Sequence, residues 1–520
     1  MENPGLITLL PFIVGIFFLI WQEDVIFPLI GGLFIGSIIV SRFNLFFGFI
    51  NTAGDFIVNA LTKNTNIFSV ILIAECLLFF SILNRTGFIN TVKKKLSRKI
   101  LSRNRLEYIV VLSNLALFID RNLSTLLVGI FSRPFARDKK LAPVKHAYLL
   151  NTVSSAISTL IPFSTIIPII IVSIGAAFTS VGIGYSPLKA YYRSLPYQYY
   201  NIFSFFIVVS TMFLNKDIFF MKSYTRNNKG SSPSVKTQNN ISFGLNLNIK
   251  RQSNTNIALY GMTGSLLLVF ATIIIGFVLN RHGYYDLSIR NIQNHQIIFI
   301  SSLFTGIIFS ILYAIITKAE SYTQFKTKRN NISFSLLITL FYIFLAMAIE
   351  YMAQKLNFSE ALINVLRHRT VSAALIPMLI FIFSSIISFL SGSFLFTITG
   401  VLPFAIRIIS LNMTDPLIVD NLLFAVIGSV LSGATFGDMN SPFSLNFIIS
   451  TAASEASVSK HFISQIIYSL IAFFVSIVFG YLLLIFNLKS YLSISSGLLI
   501  ISLMFIFIDR NQYNKYYVHT

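Results

Sequence analysis

Hydropathy divides this chain into apolar runs separated by short polar connections. The runs lie at Leu6–Trp21, Val25–Val40, Ile67–Ile82, Ala147–Ile161, Ile202–Leu214, Ile257–Leu279, Ile297–Ile316, Phe334–Ile349, Val371–Phe389, Ile418–Leu431, Ile463–Phe486 and Leu498–Ile508. They are apolar on every face, whereas a lipid-spanning β-barrel would need short strands of alternating polarity. The pattern predicts an all-α polytopic membrane protein, with about 11 to 13 membrane helices and re-entrant or broken segments. The hydrophilic stretch 215–256, rich in Asn, Ser and Lys, reads as a flexible cytoplasmic linker. It separates a first membrane repeat, 1–214, from a second, 257–520, the arrangement expected of two inverted repeats.

Composition supports this class: the 520 residues are 55% hydrophobic and only 11% charged, which leaves no soluble catalytic domain to place. No Lys or Arg precedes the first run, only Glu2, so it lacks the basic start of a cleaved signal peptide and is expected to remain. The single cysteine, Cys76, excludes an internal disulfide and a multi-thiolate metal site. A net charge of +21 could suggest nucleic acid, but the basic residues gather in the connections and read instead as topology signals. One cluster comprises Lys93, Lys94, Lys95, Arg98, Lys99, Arg103 and Arg105. A second comprises Arg133, Arg137, Lys139, Lys140 and Lys145, and a third runs from Lys216 to Arg251. All three are assigned to the cytoplasm, with anionic-lipid contact as the alternative use. If Leu45–Leu61 also crosses, a cytoplasmic amino terminus puts Arg42 and the first cluster on the same side.

Polar interruptions of the runs carry the candidate chemistry. Gly433-Ala434-Thr435-Phe436-Gly437-Asp438-Met439-Asn440-Ser441-Pro442 reads as a helix-breaking stretch with one carboxylate. A carboxylate at bilayer depth costs roughly 2.5–3.5 kcal/mol, which marks Asp438 as a group on an ion or substrate path. In the first half, Leu106–Ile119 is interrupted by Asp120-Arg121-Asn122 before Leu123–Phe131. This stretch either crosses once with its break at mid-depth or folds as a re-entrant hairpin, and its two basic flanks favour the hairpin. Asn151 to Ser155 leads into Pro162-Phe163-Ser164-Thr165, and Ser391 to Gly400, before Pro403, is a further polar segment. Broken helices free backbone carbonyls and helix amino ends, which together with Ser, Thr and Asn oxygens suit a cation or a small hydrophilic solute. The bland alternative for the Gly and Ser residues is close helix packing.

At these residues the chain resembles the NhaC-type Na+/H+ antiporter family. The first signature is similar to Ile119-Asp120-Arg121-Asn122-Leu123-Ser124-Thr125 with Arg133-Pro134, Lys145, Ala147-Tyr148 and Pro162-Phe163-Ser164. The second is similar to Phe436-Gly437-Asp438-Met439-Asn440-Ser441-Pro442-Phe443-Ser444 with His461, Gln465 and Tyr468, and Gly392-Ser393 to Pro403 resembles the family's Gly-Thr-Ser segment. The resemblance implies an inverted-repeat secondary transporter of the inner (plasma) membrane that exchanges sodium for protons or, in relatives, organic acids or amino acids. Expected binding residues are Asp120, Arg121, Asn122, Asn151, Ser155, Ser164, Ser393, Thr397, Asp438, Asn440, Ser441, Ser444 and Asn446, with Asp120 and Asp438 as sodium ligands. No cofactor or nucleic acid is expected; the partners are sodium and protons, or a small organic solute, and the lipid bilayer, with a homodimer left open.

The departures bear on the chemistry. Where the family carries two adjacent aspartates the chain has Asp120-Arg121, and where it carries aspartates before Ser-Thr and in Ser-Asp-Thr-Thr the chain has Asn151 and Ser444-Leu445-Asn446-Phe447. A guanidinium beside the remaining carboxylates competes with sodium for their oxygens. Arg121 is therefore expected to replace part of the coupling cation, leaving a weakly coupled carrier or one that takes an anionic solute; the alternative is that it snorkels to the interface. Asp55, Glu75 and Glu350 read as interfacial or helix-pairing groups, Glu455 as a helix cap, His461 as an interfacial residue, and the aromatic residues as packing or lipid-facing groups. Two rival classes stand beside the carrier. An intramembrane aspartyl protease would need Tyr-Asp and Gly-x-Gly-Asp, where the chain has Ile119-Asp120 and Phe436-Gly437-Asp438. A non-transporting scaffold or regulator would explain the missing carboxylates.

Overall fold

The computed structural model describes residues 6–22, 26–62, 64–85, 88, 91–92, 102–118, 120–162, 164–227, 255–281, 292–316, 330–357, 372–411, 416–486 and 488–517. The lysines and arginine at 93–99, most of the 215–256 linker, Ile119 and Phe163 lie outside them. Among the described residues all regular structure is helical. Helices of ten residues or more are numbered α1 (Leu10–Gln22), α2 (Ile26–Val40), α3 (Asn64–Arg85), α4 (Arg103–Ala116), α5 (Arg121–Asp138), α6 (Pro143–Leu160), α7 (Ile167–Val181), α8 (Tyr199–Phe213), α9 (Thr255–Arg281), α10 (Ile292–Ile316), α11 (Asn330–Lys355), α12 (Ile376–Ser391), α13 (Phe394–Leu411), α14 (Pro416–Asn440), α15 (Leu445–Ser454), α16 (Val458–Val475) and α17 (Ser490–Tyr517). Among the described residues, four stretches are long and apolar enough to cross a membrane: Ala373–Ser391, Asn421–Asn440, Val458–Phe486 and Ser490–Phe507. Helices α9 and α10 pack together and onto α3, and α11 lies against α2, flanking a core made of α4–α8 and α12–α16.

That core contains two hairpins. Helices α4 and α6 start at the same end, because Glu107 of α4 and Lys145 of α6 pair at 2.9 Å. They advance side by side, with Asn114 Nδ2 donating to Leu150 O at 3.1 Å. Helix α5 returns beside them: Thr125 meets Ser154 at 2.7 Å near its start, and Ser132 meets His146 at 2.7 Å near its end. The interruption between α4, which ends at Ala116, and α5, which begins at Arg121, is thus the turn of a hairpin and not the midpoint of a single crossing.

The second hairpin, α12–α13, turns at Gly392, whose φ of +65° is left-handed and whose missing Cβ would lie 2.7 Å from the Phe443 carbonyl carbon. Helix α12 runs along α14 at backbone contact. A Cβ on Gly433 would sit 2.6 Å from Phe381 O, and one on Gly437 would sit 2.2 Å from Phe389 N. Small residues four apart let membrane helices approach this closely, and this overturns the sequence reading of Gly433–Pro442 as a helix-breaking run. Helix α14 continues through both glycines to Asn440, and the break is confined to 441–444. Likewise α6 stays helical through Asn151–Ser155 and breaks at 161–166, around Pro162.

The broken helices run in opposite directions. Helix α6 leaves the end that carries Lys145, whereas α14 and then α15 lead toward that end, where Glu455 pairs with Arg133 at 2.8 Å and with Arg137. Glu455 takes a left-handed φ of +55° as the C-cap of α15; it ends the helix before it and does not cap the next element, as the sequence reading had it, where the N-cap is Ser457. The basic end also corrects the sequence reading of its charges. Arg133 and Lys145 are not solvated loop groups; each is 1% exposed and ion-paired. Arg103, Glu107, Lys145 and Asp217 close a ring of alternating charge with contacts of 2.8 to 3.1 Å, tying α4 and α6 to the connection after α8. A basic residue followed by an apolar run looks like a topology signal until its acidic partners, 38 and 72 residues away from Lys145, are brought to it by the fold.

Two outcomes test this packing. Gly437→Ala lowers stability by roughly 1–3 kcal/mol through overpacking against α12, whereas Gly31→Ala, with nothing within 4 Å of the added Cβ, is close to neutral; melting midpoints in detergent compare the two. Lys145→Met strands buried carboxylates and costs about 3–5 kcal/mol, and Lys145→Met with Glu107→Met recovers most of the loss because the Arg103–Asp217 pair remains neutral.

Candidate transport site

Asp120 is the N-cap of α5, the position where a short carboxylate satisfies orphan helix amides. Its Oδ1 accepts from Leu123 N at 2.9 Å and its Oδ2 from the Thr165 hydroxyl at 2.8 Å, which joins the first hairpin tip to the break after α6. As the next residue in the chain, Arg121 begins the helix and turns inward. Its Nη1 donates to Asp438 Oδ2 at 2.7 Å and its Nη2 to Oδ1 at 3.4 Å. The guanidinium also lies over the Phe394 ring, 5.0 Å from its centroid. Arg121 does not snorkel away from the core.

Asp438 sits in the last turn of α14, four residues before Pro442, so its own carbonyl has no intrahelical donor. Besides the two guanidinium bonds, its carboxylate accepts from the Ser444 hydroxyl at 3.0 Å. Three donors thus meet a carboxylate that offers about four lone-pair sites. The tips of both hairpins and the break after α14 therefore converge on one ion pair.

A second cluster beside it is uncharged. Asn151 Nδ2 donates to Met439 O at 2.7 Å and to Gln465 Oε1 at 3.1 Å, and Gln465 Nε2 donates to the same carbonyl at 2.5 Å. Asn446 Nδ2 reaches Asn151 Oδ1 at 2.9 Å, Ser154 at 3.1 Å and Ser155 at 2.9 Å. Asn440 donates to Phe436 O at 2.7 Å and to the Tyr200 hydroxyl at 3.2 Å. The Met439 carbonyl, left free by the helix end, is thus held by amides from α6 and α16. Asn151, where the resembled family carries a carboxylate, lies in this network as an amide; the other such position is Leu445, next to Asn446.

The remaining expected residues divide. Ser444 joins Asp438, and Ser155 joins Asn446. Ser441 accepts from Phe443 N at 3.2 Å inside the break. Ser393 accepts from Phe396 N at 3.2 Å, and Thr397 donates to Ser393 O at 2.9 Å; both bonds are local to the start of α13. Asn122 Oδ1 and Ser164 Oγ are buried without a hydrogen-bond partner. Sequence reasoning missed Phe394, Tyr200, Ser154 and Thr125, and it took the aromatic residues as packing or lipid-facing groups, although the Phe394 ring lies under the guanidinium of the ion pair. His461 is also corrected: it is fully buried, stacked on Phe447 with centroids 4.3 Å apart and bonded to Thr451 at 2.7 Å.

Hairpins and interrupted helices that bring polar groups together inside an apolar helical bundle define a multi-pass membrane protein of the transporter class. The sequence profile of the Na+/H+ antiporter family matches residues 144–486, about two-thirds of the chain, and the protein belongs to that family. Membership makes it a secondary transporter of the antiporter kind and points away from an enzyme. A Haemophilus influenzae protein, itself described as uncharacterized, is similar to it, with 21% identity over 474 residues that cover 89% of this chain and 88% of the relative.

Asn446→Ala removes an amide NH2 whose two protons are shared among three acceptors, and leaves Asn151 Oδ1 buried without that donor. A loss of roughly 1–3 kcal/mol follows, read as a lower unfolding midpoint, while Ser393→Ala, which gives up only a local cap, stays within about 1 kcal/mol.

Proposed function

We propose that the protein is a secondary transporter of the antiporter kind in which Arg121 stands where the coupling cation would bind, so that transport proceeds without a sodium requirement. The occupied Asp438 carboxylate carries this reading. A sodium ion would compete for its oxygens with a guanidinium held in a fork and with the Ser444 hydroxyl, and charge-assisted, two-pronged pairs are among the strongest polar contacts a protein makes. The amide at 151 and the leucine at 445 support the same conclusion, since they leave the neighbouring network without negative charge to offer a cation. Asp120 is engaged as a helix cap, which leaves Asp438 as the carboxylate on the transport path.

The order of elements supports two inverted repeats, α4–α8 and α12–α16, on either side of the 215–256 linker. Each has a hairpin, a broken helix and a following helix, and the broken helices run oppositely. The basic end, carrying Arg103, Arg133, Arg137 and Lys145, is the cytoplasmic one in this reading. Membership in an antiporter family and the apolar helices suit the plasma membrane.

In proteoliposomes, a sodium gradient drives no uptake or counterflow through the wild-type protein. Arg121→Gln, which frees Asp438, produces sodium-dependent proton movement under the same gradient. Sodium-driven proton flux in the wild type equal to that of Arg121→Gln would overturn the reading.

A further inference from the structure

The Arg121–Asp438 pair is asymmetric in a way that identifies a ligand class. The Asp438 side chain is 3% exposed and the Arg121 side chain 13% exposed, so the reachable member of the pair is the cation. Arg121 begins α5 and Phe394 begins α13, and the guanidinium that holds Asp438 lies over the Phe394 ring. Helix amino ends carry partial positive charge. With the guanidinium they form a site built for an anion and now filled by an internal one, while the Phe394 ring backs the guanidinium plane and keeps the fork in place.

Building on the reading that Arg121 replaces the coupling cation, we propose that Arg121 binds the transported solute directly. A small carboxylate-bearing solute takes the guanidinium fork from Asp438 while Asp438 accepts one proton, so one proton travels with each solute carboxylate. In the unloaded state the site holds Arg121 as a cation and Asp438 as an anion, with net charge zero. In the loaded state a proton from water forms an O–H bond on Asp438, and the solute carboxylate replaces it as counter-anion, again with net charge zero. Release on the other side reverses both steps: the O–H bond breaks, the proton returns to water and the fork closes on Asp438. The two half-loaded states each leave one uncompensated buried charge, which costs several kcal/mol. Neutrality therefore couples proton to anion without a metal ion. Moving a proton in with an anion is the same net reaction as exchanging the anion for hydroxide, which keeps the cycle within the antiporter kind.

The surrounding charges leave this exchange to the pair itself. Glu350, on α11, is the other charged group that acts on Asp438. Helix α12 carries no titratable side chain, and on α13 the only one, Arg407, is exposed. On α16, His461 is bonded to Thr451 and Tyr468 to Ile218 N, and Lys460 opens that helix. On α8, Tyr200 meets Asn440, and on α6, Lys145 is held in the charge ring, His146 meets Ser132 and Tyr148 stacks with Tyr468. Arg193, before α8, lies over Phe424, and Glu455, beyond α15, lies with Arg133 and Arg137.

The test is anion-dependent thermal stabilisation of the purified full-length protein in detergent, with choline salts of lactate, succinate and glutamate titrated against choline chloride from pH 5.5 to 8. At least one of these carboxylates stabilises the wild type, and its apparent affinity falls about tenfold per pH unit, the slope of a single linked proton. Arg121→Gln and Arg121→Lys lose the effect. Asp438→Asn, which fixes the neutral form, is less stable alone, is rescued by the carboxylate, and binds it with no pH dependence. Absence of stabilisation by all three salts, binding retained in Arg121→Gln, or a pH slope that survives in Asp438→Asn would each overturn the proposal. Replacing choline by sodium chloride separates the two readings: sodium stabilising the wild type as much as Arg121→Gln sinks the reading of Arg121 as the resident cation, whereas failure of the carboxylates alone sinks only the solute proposal.

Discussion

A charge inside an apolar bundle must be neutralised, and the site is organised around meeting that demand for Asp438. The carboxylate lies at the end of a helix whose next turn is blocked by a proline, so water and regular backbone bonding are both removed at once. What replaces them comes from three separate places: a guanidinium on one hairpin with the Phe394 ring of the other beneath it, a hydroxyl from the adjoining break and the packing of α12 against α14. None of these is useful unless the others are in position. The ion pair therefore acts as a registration point for the fold, and the close helix contacts at Gly433 and Gly437 are the packing that brings it there.

The amide network beside the pair solves the same problem for uncharged groups. A helix ending at depth exposes carbonyls that lipid cannot satisfy, and Asn151 and Gln465 supply donors to Met439 from two other helices. Amides suit this role because each carries both a donor and an acceptor and can extend the chain of bonds without adding charge. Amides at 151 and 446 thus keep the connections of the site without adding charge, which leaves the Asp438–Arg121 pair as its charged centre.

The class of fold was legible because membrane helices announce themselves by hydropathy, and Asp438 and Arg121 were legible because a charge within such a run is rare. Their pairing was legible only as one of two alternatives, since a side chain as long as arginine can turn either way. The limits of the broken helices were not legible: glycine reads as a breaker in water, but in α14 it serves contact with a neighbour. Arg133 and Lys145 were misread for a related reason. A charge counted along the chain looks solvated, and the partners that bury it, Glu455, Glu107 and Asp217, are assembled only by the fold. Phe394 carried no signal because its contribution is the placement of its ring, which residue type does not encode.

Helices α5 and α15 are joined at both of their ends, by Arg121 through the Asp438–Ser444 link at one and by Arg133 and Arg137 through Glu455 at the other. The joints span nearly equal lengths of chain, from 121 to 133 on one helix and from 444 to 455 on the other. One residue added to or removed from either helix would rotate everything beyond it by about 100° and shift it by about 1.5 Å, so only one of the two joints could survive. Divergence in this part of the chain is thus free to change side chains but not to change length. Spacing is then what this frame fixes, more tightly than the identity of the side chains it holds.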